Sequence, residues 1–241
     1  MKSFIRKLFF GSEVLERVYS PINGEILVTE NLFGKREMKV GEVSQSGGLV
    51  KKLWNSIFNL KSCLAADRFS IFNQFSKSNF KCLILGLGGG TLASLIVNRY
   101  PQTAKITGIE IDPKIIELGK KYFDLDEIKN LDIVIADAIK EISFPKFIIR
   151  NTKYNLILVD LYLGQEFPKE AESNEFLNSL KSILEKDGLI IFNRLNFGKH
   201  KKETAQFKEK IAQFFPYLIS REVDYNLLVF AFLEAQKKVY C

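Results

Sequence analysis

One histidine, one tryptophan and three cysteines occur in the 241 residues. A lone His200 excludes a histidine-rich metal centre, and no metal is expected. It sits in Lys199-His200-Lys201-Lys202 and reads as a solvated helix start. Cys63, Cys82 and Cys241 form neither a paired framework nor a C-x-x-C, which fits a reducing, cytoplasmic setting. Cys82 reads as a small core residue. No apolar run approaches the roughly 18 residues of a membrane span. The basic, greasy residues 1–10 lack a long apolar region and a small-residue cleavage site, so a short amphipathic arm is expected rather than a signal peptide. The formal charge is +7, but its lysines are scattered and not clustered with arginine and aromatics. RNA or DNA binding is therefore not expected.

What is present is a sequence 46% hydrophobic, enough for one sizeable core with a small appendage. Residues 14–45 read as β. Asn23-Gly24 separates two strand-like runs, and a second turn near Phe33-Gly34-Lys35 leads to a third, which predicts a three-stranded meander. Its exposed edge could pair with a second copy, so a homodimer is an expected possibility. Residues 1–46 form the arm and meander, and residues 47–241 the main domain. Helical text follows at 49–60 and 63–75. From Lys81 onward strands near 81–86, 105–111, 131–136, 154–160 and 188–194 alternate with helices near 91–99, 113–122, 172–185 and 201–214. That alternation predicts a mostly parallel sheet with helices on both faces. Asp187-Gly188 is expected to close the fourth helix. The last two strands, 219–223 and 227–232, are three residues apart and must be antiparallel.

The chemistry concentrates at the ends of these strands. Gly86, Gly88, Gly89 and Gly90 follow an apolar strand and open a helix, a layout that lets a ligand approach bare backbone. No Gly-Lys-Ser/Thr follows, so a phosphate-binding P-loop is disfavoured, and Thr91 replaces the third glycine of a dinucleotide fingerprint. Glu110 ends the second strand about 20 residues on, where a carboxylate can hold two ribose hydroxyls. Asp112 before Pro113 reads as a helix cap. Asp137 ends the third strand, where it can accept from an adenine amino group, with Ile111 and Ala138 adjoining the two acids; capping the next helix is the competing reading of Asp137. Asp160 ends the fourth strand and should face the reacting atom, as a proton acceptor or as the partner of a cation. Tyr162 offers a π face to a cation, with ordinary packing as its alternative. Trp54 reads as core, or as the mouth of the pocket.

With these residues assembled, the chain resembles the spermidine synthase-like polyamine aminopropyltransferases. Gly89-Gly90-Thr91-Leu92, Ile109-Glu110-Ile111-Asp112-Pro113 and Asp137-Ala138 are similar to family motifs, and Gln45 falls near the family's nucleoside-contacting glutamine. The resemblance implies the α/β, Rossmann-like sheet of class I S-adenosylmethionine (SAM) enzymes, with five parallel strands and a C-terminal antiparallel hairpin. Residues and resemblance together give an expected nucleoside site at Gln45, Gly86, Gly88, Gly90, Glu110, Ile111, Asp137 and Ala138; the resemblance implies the proton-accepting position for Asp160, with Tyr162 expected beside it at the chemistry. It also exposes departures. Gly88 stands where the family holds the aminopropyl amine with an Asp. Leu163 and Gly164 replace an Asp-Pro. Trp54-Asn55 stand about where a Tyr-His pair binds polyamine, and Val50-Lys51 stand near lost acids. A polyamine wants facing carboxylates. The expected donor is therefore SAM rather than decarboxylated SAM, with Gly88 leaving room and a free N–H for the α-carboxylate. Methyl transfer to a small acceptor is the expected function. Aminopropyl transfer to a diamine and a non-catalytic nucleoside-binding or scaffold role are the alternatives, and a nicotinamide-dependent oxidoreductase is more remote.

Overall fold

Short apolar runs that end in glycine or acid become the inner strands of the main sheet. A computed structural model describes residues 11–58, 80–100, 104–144 and 152–234. β1 (Ser12–Ser20), β2 (Gly24–Asn31), β3 (Arg36–Val40) and β4 (Val43–Gly47) form an antiparallel sheet in that order. The meander thus has four strands, not the three expected. The fourth carries Gln45, and its sequence Val-Ser-Gln-Ser-Gly is too polar to announce a strand.

The chain continues through α1 (Gly48–Phe58), β5 (Lys81–Leu85), α2 (Thr91–Arg99), β6 (Lys105–Glu110), α3 (Pro113–Tyr122), β7 (Leu131–Ile135), α4 (Ala138–Ser143) and β8 (Tyr154–Val159). It ends with α5 (Asn174–Ile183), β9 (Leu184–Leu195), α6 (His200–Ile211), β10 (Tyr217–Val223) and β11 (Asn226–Phe232). The seven-stranded sheet has the order β10-β11-β9-β8-β5-β6-β7. β5 to β9 are parallel, and the final hairpin is antiparallel. The expected helix at 63–75 lies outside the described residues.

Two boundaries differ from expectation. α5 is capped by Ser173, whose side chain accepts from the Phe176 N–H, and it stops at Ile183. Gly188 does not end that helix; it lies within β9, beside a register shift against β8. His200 opens α6, but it is buried rather than solvated, with Nδ1 3.1 Å from Glu203 Oε2.

Each face of the sheet carries its own apolar layer. Leu53, Trp54 and Ile57 of α1 join Leu92 and Ile96 of α2 on one side. Phe176, Leu177 and Leu180 of α5 join Phe207 and Ile211 of α6 on the other. Cys82 is buried in β5, and burial pushes its thiol pKa up, as a core cysteine requires. α3 serves both sheets: Ile116 faces the main core, while Ile115 and Leu118 pack on Ile26, Val28 and Met38.

Asp112 pins the small sheet to the large one. It caps α3 by accepting from the Lys114 N–H, and it accepts from Ser20 Oγ and from Asn23 Nδ2 (2.7 Å). Asp112→Ala removes a cap and two cross-sheet partners, so it should lower stability by about 2–4 kcal/mol. A urea denaturation midpoint equal to that of the unaltered protein would show that the small sheet is held elsewhere.

Candidate functional site

The chain leaves β5 toward β6 and β7 on one side, then returns to place β8 on the other. Loops after β5 and β8 therefore diverge, and a crevice opens at the carboxyl ends of the strands. It holds a cavity of about 340 Å³, within the range of small-molecule sites.

The glycine loop is shaped by close backbone approach. Gly86 has φ +86°, and a Cβ there would meet the Asp160 carbonyl oxygen at 2.2 Å. Gly88 has φ +57°, and a Cβ there would meet the Gln45 carbonyl oxygen at 2.5 Å. Only glycine fits either place without displacing backbone. β4 clamps the loop: Gly89 N–H donates to Ser46 Oγ (2.7 Å), and Gly47 N–H donates to Thr91 Oγ1 (2.8 Å).

Glu110, at the end of β6, faces this crevice. Its Oε2 accepts from Gly88 N–H (2.9 Å) and its Oε1 from Asp112 N–H (3.1 Å). The Gly88 N–H is therefore engaged, not free as expected. Burial pushes the Glu110 carboxyl above its ordinary range; the backbone donors of Gly88, Asp112 and Ile111 pull it back, and the Asp112 charge adds to the rise. A raised folded pKa means that Glu110 favours folding fully below its ordinary value of 4.5, and that this contribution is lost as pH rises through the folded value. Relative to the unaltered protein, Glu110→Gln should therefore gain in urea midpoint as pH rises from about 4 to 7. A gap that moves the other way would contradict the raised value.

Gln45, Gly86, Gly88, Glu110, Ile111, Asp137, Ala138, Asp160 and Tyr162 all line the crevice. Gly90 does not. It sits at the N-cap of α2 against Leu125 and Ile128. Asp137 also caps α4, with Oδ1 accepting from the N–H groups of Ile139 (3.0 Å) and Lys140 (3.4 Å). The competing capping reading thus holds for one of its oxygens.

Asp160 anchors a polar chain across the strand ends. Asn193 Nδ2 donates to its Oδ1 at 2.7 Å, and Trp54 Nε1 donates to its Oδ2 at 3.2 Å. Asn226 Nδ2 in turn donates to Asn193 Oδ1 at 2.8 Å. Burial raises the Asp160 pKa, and the Asn193 and Trp54 bonds oppose the rise. Trp54 is core, as read, yet its indole N–H orients an acid at the site. Tyr162 is tied down: its hydroxyl donates to the Asn193 carbonyl (3.0 Å) and accepts from the Leu195 N–H (2.9 Å). Burial and the Asp160 charge push its pKa up, so only its ring face is available to a ligand.

Asn193 and Asn226 were missed in the sequence. The signal was Asn193 itself, a polar residue inside the apolar strand Leu189-Ile190-Ile191-Phe192 that must find a buried partner. Ser44 was missed too. Its hydroxyl is buried without a partner, and the residue lines both the crevice and a second cavity beside it. Outside the crevice, Glu166, His200 and Glu203 bring donor atoms within 4.8 Å of one another, but Lys199 already neutralises Glu166 at 2.5 Å. Among the described residues, no helix is long and apolar enough to cross a membrane.

Sheet order, glycine turn and acidic strand ends define the α/β fold of class I SAM-dependent methyltransferases, with a small antiparallel sheet in front. The chain belongs to the spermine/spermidine synthase domain family, whose pattern matches residues 71–236. Two curated relatives are transferases of different kinds. A polyamine aminopropyltransferase of Vibrio vulnificus is 27% identical over 149 residues, 61% of this chain and 49% of that protein. The mouse eEF1A lysine and N-terminal methyltransferase is 28% identical over 165 residues, 65% of this chain and 23% of that protein. The matches thus span half or less of these relatives. Among solved structures, a probable spermidine synthase from Corynebacterium glutamicum aligns with a TM-score of 0.69 at 17% identity, covering 91% of this chain and 79% of that one.

Proposed function

We propose that the crevice takes SAM and that the protein transfers its methyl group to an acceptor lying beside Asp160. One observation carries the choice of donor. No side chain can stand at position 88, because backbone of β4 closes on it at 2.5 Å and φ is positive. The carboxylate that would hold an aminopropyl amine is therefore absent, and so is the repulsion it would exert on an α-carboxylate.

The crevice residues fit such a nucleoside. Glu110 accepts from backbone N–H groups at its inner side and keeps lone-pair capacity on the crevice side for sugar hydroxyls. Ile109, Ile111 and Ala138 supply an apolar berth for a base. The unpartnered Ser44 hydroxyl, where the two cavities meet, is a donor in want of an acceptor. When bound, SAM supplies an electrophilic methyl group on a sulfonium. Asp160, a half-buried carboxylate whose pKa desolvation raises, is suited to take a proton from the incoming nucleophile. The rest is positioning by rigid strand ends.

Aminopropyl transfer remains the second reading, favoured by the Vibrio relative and by the acid at position 160. Isothermal titration with SAM and with decarboxylated SAM separates the two. Tighter binding of SAM supports methyl transfer; tight binding of decarboxylated SAM alone would overturn it.

A further inference from the structure

The second cavity, of about 710 Å³, opens beside the crevice and shares Val43, Ser44, Val50, Asp160 and Tyr162 with it. Its walls come from the start of α1, the segment after β9 and the β10–β11 turn. The turn reaches that wall because β11 pairs with β9 and the Asn196 N–H donates to the Tyr225 carbonyl. We infer that this chamber receives a single primary amine carried on an apolar or aromatic body, the amine at Asp160 and the body against Phe197 and Tyr225. The inference rests on the reading of the crevice as the donor site and names the acceptor class for it.

Charge decides the number of amines. Of the three carboxylates among the described residues lining the chamber, Glu42 and Asp224 are exposed and only Asp160 is partly buried. Asp224, 2.8 Å from Lys52, and Glu42 both lie exposed at the rim, where water screens them. A diamine's second ammonium would meet the apolar wall of Leu49, Val50, Leu53 and Leu195 or neutral amides and exposed rim acids, with no second half-buried carboxylate to offset its desolvation.

The walls fit an apolar body. Phe197 and Tyr225 pack edge to face, with ring centroids 5.8 Å apart. Tyr225 is 70% exposed and Leu49 is 62% exposed. Large apolar side chains gathered on the mouth of a cavity mark a surface that a ligand covers.

The floor fits an amine. Each Asp160 oxygen accepts one protein donor and keeps a lone pair for an incoming N–H. Asn226 fixes the Asn193 amide so that its NH₂ must face Asp160, which holds that acid as an acceptor. In the reaction, Asp160 takes one proton from the bound ammonium, and the freed nitrogen lone pair forms a bond to the methyl carbon as the carbon–sulfur bond breaks. That electron pair stays on sulfur, which leaves as a neutral thioether, and the product departs as the methylated ammonium.

Trp54, the only tryptophan, donates to Asp160 and so reports on the floor by its fluorescence. The test titrates 2-phenylethylamine, a short peptide beginning with phenylalanine, and putrescine into the full chain, with and without S-adenosylhomocysteine. The expected result is a saturable signal for the free aromatic amine or for the peptide, at least about 10-fold tighter than putrescine. Which of the two binds tighter identifies whether the amine is a free molecule or a chain terminus. Tyr225→Ala should weaken the apolar amine by about 10-fold with SAM affinity unchanged. Putrescine binding as tightly as either apolar amine, or no saturable signal from either one, would overturn the inference. Amine binding is read without SAM, so a failure of the donor reading appears separately in calorimetry.

Discussion

Asp160→Asn should lower turnover by about 10²- to 10⁴-fold, the usual worth of a positioned proton acceptor, with SAM affinity nearly unchanged. The side chain keeps its shape and its bond from Asn193 but loses the charge that accepts the proton. It also turns an NH₂ toward the Trp54 N–H, so folding should be checked by denaturation. Trp54→Phe supplies an independent test. The Trp54 bond lowers the Asp160 pKa, so removing it raises that pKa and moves the acid limb of the pH–rate profile to higher pH. Unchanged turnover in Asp160→Asn would remove Asp160 from the chemistry, whereas SAM binding without any turnover in the unaltered protein would favour a non-catalytic nucleoside-binding role.

Glu110→Gln should weaken SAM binding by about 10- to 100-fold, because two charge-assisted bonds to sugar hydroxyls become neutral or lose their acceptor. The same change puts an amide NH₂ against one of two backbone donors, Gly88 N–H or Asp112 N–H. Loss of affinity should therefore exceed any change at Asp137→Asn, where one oxygen is already committed to capping α4. Calorimetry on both variants separates them, and an unchanged affinity in Glu110→Gln would argue that this acid does not hold the sugar.

The sequence was most legible where chain locality does the work. An apolar strand, a glycine turn and a helix start are consecutive, so β5, Gly86 and α2 could be read directly. Acids at strand ends could be read because a parallel sheet aligns them on one edge. The antiparallel hairpin followed from loop length alone. Contacts between distant segments could not be read. Trp54 and Asp160 are 106 residues apart, and Asp112 meets Ser20 across 92. Gly90 was placed in the site by its neighbours in sequence, but helix geometry turns it toward Leu125. Gly188 looked like a helix stop because glycine serves caps and strand irregularities alike. Tyr162 kept its place beside Asp160, while its hydroxyl was claimed by β9 backbone that no local pattern announces.

The most direct measurement is a crystal structure of the protein soaked with S-adenosylhomocysteine. The account predicts the adenosine in the crevice between β4 and the carboxyl ends of β5 and β6. The two sugar hydroxyls should lie about 2.5–3.0 Å from the Glu110 oxygens. A compound bound elsewhere, or a Glu110 carboxylate facing no sugar, would contradict it.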